Sequence, residues 1–330
     1  MTLLENKSAD IPAPREITTK PRRSDQIFRA VVTIGGMTSL VILGLIALFL
    51  SLKGISVLRV EKLSFITESK WEVLQDAEGK VAESTFGLGA MLIGTFLSAF
   101  IAVIVGVPIA VLSALYLTFY ARGPVKRLLI SLIDLMAAFP SLLFGFWGFI
   151  VLMGSAEYWA KLLNKYLGFI PIFDVPAPIF ERSPFIAGLV LAIMIIPIVT
   201  AISREIFDQT PLDRVQAAYA LGASKLAMIR AVVIPYGRGG VVGGAMLGLG
   251  RAMGETVAVY TVLNVVYQIN WQVLFGAGGN VASLILLKFG EAGPDEVNAL
   301  MAAGLVLFLL TLTVNAISDV LINTFGKKGR

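Results

Sequence analysis

Three ionisable side chains stand inside apolar runs of this sequence: Asp134, Arg251 and Glu255. A charge at the bilayer centre costs about 2.5–3.5 kcal/mol on insertion scales, so such residues usually face protein or water and mark pathways. Arg251 and Glu255 are four positions apart, which on a helix puts them on one face and within pairing distance. Two uses fit the pair. Either it is a structural ion pair that locks helices together, or the guanidinium contacts an anionic substrate while the carboxylate moderates its grip. A guanidinium suits the second role because it donates planar, bidentate hydrogen bonds and keeps its charge at any relevant pH. Asp134 stands alone, and a lone acid of this kind is more often a packing partner than a ligand.

Other chemistry is narrow. The chain has no histidine and no cysteine, so the usual general base, the commonest metal ligand and thiolate chemistry are all missing. The Gly248-x-Gly250 step has no strand before it and no correctly placed third glycine, so it does not read as a dinucleotide turn. Gly243, Gly244, Gly248, Gly250 and Gly254 fit close helix packing better. No Gly-x4-Gly-Lys-Ser/Thr phosphate loop occurs anywhere. The expectation is a chain that binds no metal or cofactor of its own and is not an enzyme.

The elements that would position these residues are membrane helices. The chain is 330 residues long, 57% hydrophobic and only 15% charged, with a mean hydropathy of +0.83. Soluble domains carry about 25% charged residues. Uncharged runs such as 30–52 and 84–121 exceed the ~20 residues a helix needs to cross a hydrocarbon core of ~30 Å. They do not alternate as barrel strands would. The fold class is therefore all-α integral membrane protein, with about six spans expected at 27–52, 86–119, 128–153, 184–203, 239–266 and 297–322. The first run is too long for the core of a signal peptide and is read as a retained span. Pro108 is expected to kink the second.

Lysine and arginine concentrate in the tail 1–26, at 122–127, in the loop 204–238 and in the terminus 323–330. Loops rich in these residues face the cytoplasm, so both termini are expected there. The loops 53–85, 154–183 and 267–296 then fall outside, and the net charge of +5 reflects this bias rather than nucleic-acid binding. The apolar stretch 281–289 is too short to span and suits a short helix at the outer surface.

The most informative cytoplasmic segment is Gln216-Ala217-Ala218-Tyr219-Ala220-Leu221-Gly222-Ala223, followed by Val232-Val233-Ile234-Pro235. Helix formers run up to Gly222, which can end a helix at little steric cost. A second short segment follows, and Pro235 is expected to open span five. From the residues alone, this is equally an ordinary hairpin between spans or a knuckle whose small residues let another protein approach.

The segment resembles the EAA loop of ABC-importer permeases: Glu-Ala-Ala, three residues, Gly, nine residues, then Ile-x-Leu-Pro. Ala217, Ala218, Gly222 and Pro235 stand at the matching spacing, with Val232 and Ile234 as apolar equivalents and Gln216 in place of the glutamate. The stretches Phe139-Pro140-Ser141-Leu142-Leu143-Phe144-Gly145 and Gly248-Leu249-Gly250-Arg251-Ala252-Met253-Gly254-Glu255-Thr256 resemble the permeases of phosphate-specific importers, of the PstC type. The resemblance covers roughly residues 25–325. It implies a type I importer (MetI-like) core over 86–322, with Gln216, Ala217, Ala218, Gly222 and Ala223 coupling to an ATPase. It further implies a sister permease of the PstA type, a PstB-type ATP-binding dimer that carries ATP and magnesium, and an extracytoplasmic phosphate-binding protein of the PstS type. Membrane lipid would surround the assembly. ATP binding elsewhere would move the 204–235 knuckle, and the spans would alternate access. Arg251 and Glu255 would line the substrate path. A permease for molybdate or sulfate would share the knuckle, and a self-sufficient channel or ion-coupled carrier would not need it.

Overall fold

A computed structural model describes residues 22–73, 84–175 and 177–327. The expected tail therefore lies outside the described residues up to position 21, with Lys7, Arg15 and Lys20, as do Lys80, Lys328 and Arg330. Contacts divide the chain into two units, Met1–Leu48 and Phe49–Arg330. Within the first, residues 23–48 form the start of helix α1 (Arg23–Glu61) and expose Ile27, Phe28, Val31 and Ile34, a surface suited to lipid.

The second unit holds the rest of α1 and α2 (Ser64–Thr67), then an antiparallel pair of short strands, β1 (Trp71–Glu72) and β2 (Thr85–Phe86). Helix α3 (Gly89–Leu115) runs on through a π-helical turn at Tyr116–Tyr120. Helices α4 (Gly123–Ala138), α5 (Ser141–Trp147) and α6 (Met153–Leu167) follow, with Gly148–Leu152 bridging the last two as another π-turn. Next come α7 (Pro184–Asp208), α8 (Leu212–Ala220) and α9 (Lys225–Met228), the last running through a π-turn at Ile229–Val233 into α10 (Ile234–Gly254). Helices α11 (Val257–Val262), α12 (Val281–Lys288) and α13 (Pro294–Lys327) complete the chain.

Six helical stretches among the described residues are long and apolar enough to cross a membrane: Arg23–Glu61, Gly89–Tyr120, Ser141–Leu167, Pro184–Asp208, Lys225–Gly254 and Pro294–Ser318. The expected number and class hold. In lipid there is no hydrophobic drive between helices, so packing rests on close backbone approach. Helices α3 and α7 make the central contact. The face that α3 turns inward is small: Ala99, Ala102, Ala110 and Ala114 are buried, and a Cβ on Gly106 would meet Ile195. Helix α10 packs on α7 in the same manner, since a Cβ on Gly240, Gly244 or Gly248 would meet Ile206, Ile202 or Val199. Close helix packing is thus confirmed for Gly244 and Gly248, whereas Gly254 faces open space.

Several expected boundaries are corrected. Helix α1 is longer than 27–52 at both ends, and α13 stays helical through Lys327 rather than stopping at 322. The expected third span, 128–153, is cut in two. Phe139 takes an extended conformation (ψ 136°) before Pro140, as the clash of a proline ring with the preceding residue demands. The 16-residue α4 is consequently a separate amphipathic helix, and the span is Ser141–Leu167. Asp134 belongs to α4 and is exposed, not set within a span. The expected fifth span, 239–266, begins earlier and ends earlier, at Lys225 and Gly254. Pro235 lies within that continuous helix instead of opening it. The preceding π-turn accommodates a residue that cannot donate a backbone bond.

Candidate functional site

The knuckle forms as expected. Helix α8 ends in a Schellman closure, with Gly222 N–H bonding to Tyr219 O (2.9 Å) and Ala223 N–H to Ala218 O (3.0 Å). The closing residue must be left-handed, and Gly222 has φ +80°. Two residues on, the Ser224 hydroxyl accepts from Ala227 N–H (3.3 Å) and caps α9. The chain thereby reverses between two helices in a few residues, each reversal satisfied by its own hydrogen bonds.

Beneath the knuckle lies a small core of Ala114, Phe207, Met228, Ile229 and Val233. Lys225 adds a polar tie. Its ammonium lies 4.3 Å from the centre of the Tyr120 ring and donates to Phe119 O, joining α9 to the end of the second span. Above this base opens an apolar groove of about 500 Å³, bordered by Ala217, Ala218, Leu221, Ala223, Val232 and Tyr236, among others. Ala217, Ala218 and Ala223 thus stand together at one surface. Gln216 is exposed on the same helix outside the groove lining, and Gly222 shapes the turn rather than lining it. Sequence reasoning missed Leu221. It is the most protruding apolar side chain there, 88% exposed, and the signal was available: a leucine directly before the helix-ending glycine, with no helix left to bury it.

The second region is the end of α10. Gly254 is the last helical residue, and Glu255 turns extended (φ −70°, ψ 127°) before α11 begins. The i, i+4 relation between Arg251 and Glu255 does not survive this break. Among the described residues they form no ion pair, which corrects the expectation that they would pair on one helix face. The Arg251 side chain is exposed and makes no hydrogen bond within the described chain. Glu255 is half-buried, and its Oε1 lies 3.5 Å from Ala258 N–H at the start of α11.

What holds the break is Asn280. Its side-chain amide donates to Glu255 O at 2.6 Å, and its Oδ1 accepts from Ser283 N–H at 2.7 Å, capping α12. The loop carrying it is pressed onto α3: a Cβ on Gly94 would meet Gly279 O, and the Thr95 hydroxyl accepts from Val281 N–H (3.2 Å). No spacing in the sequence links residue 280 to 255.

The family model for the binding-protein-dependent transport system inner membrane component matches residues 106–328. The chain is 39% identical over 309 residues to a protein of Mycobacterium tuberculosis named phosphate transport system permease protein PstC 2, covering 92% of this chain and 94% of that one. It is 37% identical over 271 residues to a phosphate transport system permease protein PstC of Pasteurella multocida, covering 80% and 81%. A PstC protein of Xylella fastidiosa aligns over 328 residues at 32% identity, covering 98% and 97%. Among solved structures, a chain of the MetNI methionine ABC transporter in an inward-facing conformation superposes with a TM-score of 0.50 and 19% identity over 72% of this chain and 94% of that one, a likeness of fold. Taken with the six spans and the knuckle, these matches give the chain its place: it belongs to the family of binding-protein-dependent transport system inner membrane components.

Proposed function

We propose that this chain is one of the two membrane subunits of an ATP-driven importer of inorganic phosphate. The observation that carries the reading is the knuckle. Ala217, Ala218 and Ala223 border an open apolar groove at the spacing of the EAA loop, with Leu221 protruding beside it. A groove of small residues with one large apolar projection is what a docking helix needs. Phosphate as substrate is supported by the names of relatives aligned over most of the chain.

On this reading the knuckle faces the cytoplasm and both termini lie on that side. A PstB-type ATPase dimer holds ATP and magnesium, a PstA-type permease completes the path, and a PstS-type binding protein delivers phosphate from outside. Nucleotide binding moves α8 and α9. The motion passes through Phe207, Met228 and Lys225 into the ends of α7, α10 and the second span. Arg251, exposed and without a partner among the described residues, is the cation that phosphate meets on its way, and Glu255 borders the same break. A guanidinium supplies the bidentate contact that replaces part of the anion's hydration.

The test is reconstitution. The chain, co-purified with a second permease and two ATP-binding chains and placed in proteoliposomes with binding protein outside, should import phosphate only with ATP inside. Phosphate transport by this chain without any ATPase subunit would overturn the reading in favour of a self-sufficient carrier.

A further inference from the structure

At the end of α7 opposite the knuckle, 25 residues away and hence ~37 Å along the helix, lies a second concave site. This cavity of about 410 Å³ is bordered by Phe146, Phe149, Arg182, Thr261, Asn264 and Leu287, among others. No Asp or Glu lines it. The geometry points to an oxyanion-binding station at Arg182 and Asn264, distinct from Arg251 and reached before it by an anion arriving from that end. The direction of travel rests on the proposed phosphate import; the chemistry of the cavity does not.

Arg182 is held in place without being neutralised. Its Nη1 donates to Asn264 Oδ1 at 2.7 Å, and the guanidinium lies 5.1 Å from the centre of the Phe149 ring. Its backbone is left-handed (φ +51°), which few non-glycine residues adopt. Among the described residues it has no carboxylate partner, and the neighbouring Glu181 is neither paired with it nor part of the cavity wall. A guanidinium has five N–H groups and no acceptor, so one bond to Asn264 leaves most of its donors free. That same bond fixes the Asn264 amide, because only its oxygen can accept. The Nδ2 donors of Asn264 have no partner among the described residues.

The rim is therefore rich in donors and carries one uncompensated positive charge beside apolar walls. Such a site selects an anion with several acceptor oxygens. It also binds weakly, since the cation is shared with a ring and an amide, and weak binding is what a conducting path requires. Helix α11 links the two arginine regions: its six residues, ~9 Å long, run from the Glu255 break towards Asn264.

Because this chain lacks cysteine, Leu287→Cys places the chain's single thiol at the rim without altering Arg182 or Asn264, and labelling is read on this chain after it is separated from the other subunits. In the assembled transporter in proteoliposomes, its reaction with a negatively and a positively charged methanethiosulfonate is timed, with and without millimolar inorganic phosphate. The expected result is faster reaction with the anionic reagent and protection by phosphate. Arg182→Gln in that background should cut the anionic preference on the order of fivefold and abolish protection, with assembly on gel filtration unchanged. Arg182→Lys should restore the preference for anionic reagent but not full protection. Equal rates for the two reagents, a thiol that neither reaches, or protection only by loaded binding protein would each overturn the station. A complex that shows phosphate protection but never imports phosphate overturns the transport reading and leaves the site standing.

Discussion

The amide of Asn280 donates to the backbone carbonyl of Glu255 at 2.6 Å, across 25 residues of sequence. Through this bond a loop lying on α3 holds open the helix break that separates Glu255 from Arg251. Asn280→Ala should lose both the tie and the cap of α12, costing about 2 kcal/mol in unfolding of the purified chain. Asn280→Asp keeps an acceptor for Ser283 N–H but sets a buried carboxylate oxygen against the Glu255 carbonyl. Stability should therefore fall at least as far as in Asn280→Ala, and phosphate uptake with it. Equal uptake by Asn280→Asp and parent would mean that the tie does not position Glu255.

Gly222 closes the α8 Schellman turn at φ +80°, and nothing lies within 4 Å of where a Cβ would stand. Strain of the backbone, not a clash, is the cost of any side chain there. Gly222→Asn, which tolerates left-handed backbone, should keep coupling. Gly222→Val, β-branched, should lose about 1–2 kcal/mol of local stability and most ATP-driven uptake. Crosslinking of Ala223→Cys to the ATPase subunit would read the difference.

Leu221 protrudes into solvent and contributes little to the fold of the isolated chain. Leu221→Asp should leave thermal unfolding within about 0.5 kcal/mol of the parent. If Leu221 is the central anchor of the docking groove, retention of the ATPase subunit should drop on the order of tenfold or more. Unchanged retention would place the docking surface elsewhere.

Arg251 and Glu255 are not paired, so their roles should separate. Arg251→Lys retains charge and loses the bidentate fork, and uptake should fall on the order of tenfold. Glu255→Gln should act independently: the effects of the two on uptake should add within about 0.5 kcal/mol in a double-variant cycle. A larger coupling would mean that the two meet during transport.

Tyr267, outside the spans, stacks on Trp71, and burial together with the nearby charge of Glu296 pushes its hydroxyl up from 10.0 to about 12. The folded chain thus favours the neutral phenol more than the unfolded chain does. Above pH 10 the unfolded state binds fewer protons, so stability falls as pH rises from 10 towards 12. Tyr267→Phe should remove that part of the alkaline loss, measured as the change in melting temperature between pH 9 and pH 11.

Composition and apolar run length determined the all-helical class and the six spans, because in lipid every backbone group must be bonded within the segment. Local chemistry determined the knuckle: alanines, a glycine at the left-handed position and a serine cap act over neighbouring residues, so their spacing can be read directly. The cut at Phe139–Pro140 was legible in principle, since the proline restriction is local, but the apolar run on both sides concealed it. The separation of Arg251 from Glu255 was not legible. Helical periodicity assumes that the helix continues, and what stops α10 is Gly254 together with an amide arriving from residue 280. The cavity at Arg182 likewise depends on Phe149, Arg182 and Asn264 meeting from three separate segments. Bonds between residues far apart in the chain leave no period and no spacing, so the tertiary structure alone decided them.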